Sequence, residues 1–145
     1  MAKEIHTEIS INATPEKVWA ILTDFDNYPN WNPFIKSISG DVRVGNKITT
    51  RLEFPLGQGT TFKPKVLAFE TNKELRWIGH LWFPGLFDGE HKFELIDNKN
   101  GTTTFKQSEY FEGILVPFFQ QVLDKNTTDS FNLMNKKLKE MAEQN

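Results

Sequence analysis

The chain has 145 residues, 38% of them hydrophobic and 25% charged, the size and composition of one globular domain spanning residues 1–145. Its net charge is −2 with no long run of either sign, so it lacks the clustered Lys and Arg that phosphate binding needs, and nucleic acid is not an expected partner. It has no cysteine, which excludes disulfides, thiolate metal sites and thiol nucleophiles, and no apolar run approaches the ~20 residues that span a bilayer.

Residues 3–11 alternate, Ile5, Thr7, Ile9 and Ile11 against Glu4, His6, Glu8 and Ser10, as in a strand with one face buried. The N-terminal MAKEIHTEISI enters this pattern with no charged leader or apolar stretch before it, so a cytoplasmic protein is expected. In NATPEKVW, residues 12–19, Thr14 stands as an N-cap, Pro15 at the first helical position and Glu16 near the positive end of the dipole; Val18, Trp19, Ile21 and Leu22 supply the apolar face. FDNYPNWNPF, residues 25–34, is too rich in Pro and Asn for a long helix and predicts a turn with one further helical turn.

The period then becomes two. Strands are expected at 34–42, 48–54, 60–70, 74–83, 90–96 and 102–112, with Pro64 at an edge or bulge of the third of these. Short connections make neighbours antiparallel. The loop at 83–89 (FPGLFDG) and the run at 114–119 both set Phe, Leu and Pro beside glycine at element ends. They suggest either a rim around an apolar cavity or a cap between helix and sheet.

The last segment, 117–143, predicts one long helix, about 40 Å at ~1.5 Å per residue. Steps of three and four from Phe119 pass through Val122, Leu123, Asn126, Ser130, Leu133, Met134, Lys137 and Met141. Asn126 and Ser130 interrupt this seam with polar groups that need partners in an enclosed space. The expected class is therefore α+β: a seven-stranded antiparallel sheet curled around the C-terminal helix, with two short helical pieces between strands 1 and 2. Thirteen Phe, four Trp and two Tyr are either a Phe-rich core or, in part, the wall of a cavity.

This order of elements, with NATPEKVW, FDNYPNWNPF, LRWIGHLWFPGLFDGEHKFEL (75–95) and SEYFEGILVP (108–117), resembles the START-like or Bet v 1-like (SRPBCC) superfamily over essentially the whole chain. Within it the chain looks most like the polyketide cyclase/dehydrase-type branch. The resemblance implies a helix-grip fold with a hydrophobic cavity between sheet and helix. It constrains function less, because the superfamily includes lipid and hormone carriers, coenzyme-Q-binding proteins and cyclases.

Alternation assigns sides. His91 shares a face with Phe93 and Leu95, and Gln107 and Glu109 share one with Phe105 and Phe111. A carboxylate facing an aromatic cavity calls for a partner, and His91, Arg51 and Arg76 are the candidates. Paired, His91 and Glu109 would serve as acid and base in a ring closure or dehydration, or would only satisfy each other and orient a ligand. The resemblance places Trp77 inward, which leaves His80 on the outer face, and His6 is expected in solvent. Three scattered His without HxH or HExxH spacing do not form a metal site, and no motif calls for a cofactor.

The expected partner is thus a small hydrophobic molecule, such as a lipid, isoprenoid or polycyclic aromatic, in a cavity under the C-terminal helix. Its apolar wall would be Trp31, Phe54, Trp77, Phe93, Phe105, Phe119, Val122 and Leu133, and its polar handles His91, Gln107, Glu109, Asn126 and Ser130. The alternatives are a cyclase or dehydratase using Glu109 and His91, and a protein-interaction module with no ligand-sized cavity.

Overall fold

In the computed structural model, residues 2–53, 59–80, 84–119 and 123–144 are described. Strand β1 (Ala2–Ile11) buries Ile5, Thr7 and Ile11 on the face its alternation predicts. Helix α1 (Pro15–Leu22) follows, with Pro15 at its start and the Thr14 hydroxyl oxygen accepting the Lys17 N–H at 3.3 Å, and it buries Val18, Trp19 and Leu22. A 3-10 turn (Phe25–Asn27) runs into the single-turn helix α2 (Tyr28–Trp31). Tyr28 anchors this corner. Its fully buried phenol donates to the Leu22 carbonyl, and its ring meets Phe25 and Trp31 edge-on at 5.6 and 5.3 Å. Burial holds that phenol far above the ordinary tyrosine range.

The strands are β2 (Ile35–Ser39), β3 (Thr49–Glu53), β4 (Gly59–Phe62), β5 (Lys65–Glu70), β6 (Glu74–His80), β7 (Asp88–Asp97) and β8 (Thr103–Glu112). With β1 they form two antiparallel sheets in place of the expected single seven-stranded one. One has the order β1-β8-β7-β6-β5 and the other β2-β3-β4. Pro64 is the local reason. It divides the expected strand 60–70 into β4 and β5, because proline has no N–H to give to a ladder. The sheets stay joined nearby through Ile48 N–H to Pro64 O and Gly45 N–H to Val66 O, both 2.9 Å. Gly40, with φ +104°, ends the ladder before residue 42, so β2 is shorter than its hydrophobic pattern suggests.

The C-terminal segment is not one regular helix. It comprises a 3-10 turn (Val116–Phe119), a π turn (Leu123–Thr127) and helix α3 (Thr128–Ala142). Helix α3 buries Ser130, Phe131, Met134, Asn135, Leu138 and Ala142 against β1, β8 and α1, so the sheet grips it as expected. The seam is shifted. Leu133 is 46% exposed, Lys137 is in solvent and Met141 is half-buried, whereas Leu138 and Ala142 are fully buried. The i→i+5 bonding of a π turn takes up one extra residue, so a 3.6-residue count begun at Phe119 arrives one position early beyond it. At the far end Glu143 accepts hydrogen bonds from the Lys139 ammonium at 2.6 Å and the Asn12 N–H at 2.7 Å, which hold its carboxyl below the ordinary range. No described helix is long and apolar enough to cross a membrane.

Candidate ligand pocket

The site arises from strand register. Strands β7 and β8 pair with His91 opposite Glu109 and Phe93 opposite Gln107, which puts these four side chains on one face. His91 Nδ1 lies 2.7 Å from Glu109 Oε1, and His91 Nε2 lies 3.1 Å from Gln107 Oε1. Gln107 Nε2 donates to Asn135 Oδ1 on α3 at 2.7 Å, and Asn135 Nδ2 to Thr7 Oγ1 on β1 at 2.9 Å. One chain of hydrogen bonds therefore joins β7, β8, α3 and β1. The imidazole is only 4% exposed and is packed among aromatic rings: Trp77 stacked at 5.3 Å, Phe34 stacked at 6.4 Å, Phe93 at 4.6 Å and Phe131 edge-on at 5.0 Å.

His91 and Glu109 both face a cavity of about 180 Å³. Its other described walls come from both sheets, with Ile35, Leu52 and Phe62 on one side and Trp77 and Phe111 on the other, while Thr127 of the π turn and Phe87 also contribute. A cavity of roughly 150 Å³ accepts a benzene ring, so this one is of single-ring size. Its polar lining is concentrated at Glu109 and His91, with the hydroxyls of Thr50 and Thr127 and the edge residue His80.

Glycine makes room for the carboxylate. A Cβ at Gly89 would lie 2.6 Å from Glu109 Oε2, so the acid occupies the space that any other residue there would fill. Gly89 has no left-handed φ, so its backbone tolerates alanine. We expect Gly89→Ala to fold normally and to push the Glu109 carboxyl off His91; a crystal structure of the variant should show Nδ1 and Oε1 more than 3.5 Å apart. A pair unchanged at 2.7 Å would show that the glycine is not what seats the acid.

The expected site is brought together only in part. Trp77, His91 and Glu109 line the cavity. Trp31, Phe93, Phe105 and Gln107 are buried in the core and are not among its described lining; Trp31 instead lines a separate cleft with Pro29, Lys137 and Met141. Phe119 and Leu133 are exposed at 43% and 46%, and Asn126 is half-buried in the π turn. Ser130 is buried, and among the described residues its hydroxyl meets no hydrogen-bond partner. Phe54 and Val122 lie outside the described residues. Arg76 pairs with Glu74 and Glu90 and Arg51 is exposed, which leaves His91 as the partner of Glu109.

Among the described residues, the cavity's walls come chiefly from the two sheets, with Phe87 and with Thr127 of the π turn, and none come from α3 itself. His80 is exposed at its edge, bonded through Nδ1 to Asp88 at 2.7 Å, and His6 is exposed beside Glu8. The two glycine-flanked segments meet: Ile114 N–H and Leu115 N–H donate to Gly85 O and Leu86 O, and Phe87 packs on Phe111 and Phe119; of the two segments' described residues, Phe87 and Gly89 line the cavity. Sequence reasoning missed Asn135, whose signal was present in the period Phe131, Met134, Asn135, Leu138. It also missed Ile35, Leu52 and Phe62, which only the approach of the second sheet brings to the site.

A family model described as polyketide cyclase / dehydrase and lipid transport matches residues 2–143. No curated protein matches the sequence. Among solved structures, the Zhui aromatase/cyclase from Streptomyces sp. R1128 superposes with a TM-score of 0.77 at 11% identity, over 99% of this chain and 94% of that one. Norcoclaurine synthase from Thalictrum flavum gives 0.74 at 16% identity, over 100% and 88%. A START superfamily protein from Mycobacterium smegmatis gives 0.74 at 19% identity, over 97% of each chain. At these identities the likeness is one of fold.

Proposed function

The chain belongs to the polyketide cyclase / dehydrase and lipid transport family, and from that premise we propose that it binds a small, uncharged, mostly apolar molecule carrying a carbonyl or hydroxyl oxygen. The oxygen meets Glu109, and the hydrocarbon lies against Trp77, Phe111, Ile35 and Leu52. The observation that carries this reading is the Glu109–His91 pair at 2.7 Å in the wall of a ring-sized cavity whose other described lining is mostly apolar. An anionic ligand would lose its hydration there and meet a carboxyl group, with no Lys or Arg among the described lining to offset it. The size favours a single ring, or a ring-sized part of a longer molecule, over a whole polycyclic aromatic. A ring-sized cavity also weighs against a protein-interaction module with a collapsed core.

The same pair supports a second reading, an acid-base enzyme of the cyclase or dehydratase type. A carboxyl and an imidazole in hydrogen-bond contact can give a proton to a leaving hydroxyl and take one from carbon.

Binding is tested with p-cresol as the probe, followed by backbone amide shifts in the whole protein. Saturable shifts are expected at Gly79, Gly89 and their neighbours, and Leu52→Trp, which fills the cavity from the β3 side, should weaken binding at least tenfold. Shifts that never saturate at millimolar probe, or that persist at equal affinity in Leu52→Trp, would remove this cavity as the site.

A further inference from the structure

We infer that Thr7, Asn135 and Gln107 act together as a tautomer lock: they fix the His91 ring with a proton on Nε2, so that the proton available to the cavity lies between His91 Nδ1 and Glu109. Only the use of that proton depends on the function proposed above; the lock itself follows from hydrogen-bond direction.

The chain begins at a group with one possible role. Thr7 Oγ1 is 2.9 Å from the main-chain oxygen of Gln107, and a carbonyl oxygen only accepts, so the hydroxyl proton points there. A hydroxyl has one proton. The Asn135 atom 2.9 Å from Thr7 Oγ1 must therefore be the donor, Nδ2, which turns Asn135 Oδ1 toward Gln107. Gln107 answers with its own amide nitrogen at 2.7 Å, and that nitrogen is also 3.5 Å from the main-chain oxygen of Phe131, a second group that only accepts. What remains is Gln107 Oε1, 3.1 Å from His91 Nε2, and it requires an N–H there.

Thr7, Gln107, Asn135 and His91 are all buried, at 7%, 0%, 1% and 4% exposure, so bulk water does not mask a wrong orientation. Flipping either amide would set donor against donor or acceptor against acceptor at two contacts in the core. With Nε2 committed, Nδ1 either donates to a Glu109 carboxylate or accepts from its carboxyl group, and the pair holds the same number of protons in both cases. The rings packed around His91 from other positions, Phe34, Trp77, Phe93 and Phe131, carry no charge, and among the described residues Glu109 is the ionisable group bonded to it. Thr7, Asn135 and Gln107 are thus positioning residues. They reach a ligand only through His91.

Long-range proton–nitrogen correlation spectra of the imidazoles, recorded on the whole protein without ligand, test this directly. His91 Nε2 should remain of the protonated, pyrrole type across the pH range in which the protein stays folded. A pyridine-type Nε2 at any such pH overturns the inference. Gln107→Leu removes the acceptor and should yield a mixture of tautomers, while Gln107→Glu, which still offers an oxygen, should restore Nε2–H. An unchanged tautomer in folded Gln107→Leu overturns the role of the network, and if that variant does not fold the wild-type spectrum decides. No probe molecule is used, so failure of p-cresol to bind and failure of the lock are separate results.

Discussion

His91→Ala should destabilise the protein by about 3–5 kcal/mol and lower Tm by roughly 10–20 °C. The imidazole is 4% exposed and meets four aromatic rings at centroid distances of 4.6 to 6.4 Å, so truncation opens a cavity in a well-packed region. It also strands Gln107 Oε1, a fully buried acceptor whose donor is the ring, at a further cost of about 1–3 kcal/mol. His91→Phe helps separate the two contributions, since it fills the site with a slightly larger ring and removes both nitrogens, and it should recover about half of the loss. Urea denaturation of the three proteins with a common m-value checks this. A loss under about 1 kcal/mol for His91→Ala would mean that the polar chain is not part of the folding core.

Glu109→Gln should have the opposite profile. The side chain is 14% exposed at the cavity wall, and an amide of the same size can still meet His91, so Tm should stay within about 3 °C of wild type. Affinity for p-cresol should fall by no more than about tenfold, because an amide still offers a donor and an acceptor to an uncharged oxygen. Proton transfer is what the variant cannot do. If the protein turns over a ring-forming or dehydrating substrate, the rate should fall by roughly 10²–10⁴, the usual contribution of a positioned acid or base. Unchanged turnover would remove Glu109 from the chemistry, whereas a loss of binding as large as that of turnover would make it a binding group alone.

Much of this architecture was legible from local pattern. The strand period is two with no drift, so assigning Phe93 and Leu95 inward also assigned His91, and Phe105 and Phe111 likewise assigned Gln107 and Glu109; these positions meet in register across β7 and β8. Thr14 with Pro15 marked the start of α1 because capping is decided within one turn. The C-terminal helix resisted the same treatment. Its period is not a whole number, so the extra residue of the π turn at Leu123–Thr127 shifted the seam: Ser130 and Met134 stay buried as expected, while Leu133, Lys137 and Met141 give way to Asn135, Leu138 and Ala142.

The sequence by itself determined the class of fold and the faces of the central strands, because each depends on periodicity within a few residues, and it put His91 and Glu109 on inward faces while leaving Arg51 and Arg76 open as partners of the acid. Only the tertiary structure decided where the cavity lies and what completes it. Pro64 splits a strand and yields a second sheet, the meeting of the two sheets brings Ile35, Leu52 and Phe62 to the wall, and the rotation of α3 carries Asn135 to Gln107. Those contacts join residues that are far apart along the chain, and their geometry depends on how whole layers pack, which no local period encodes.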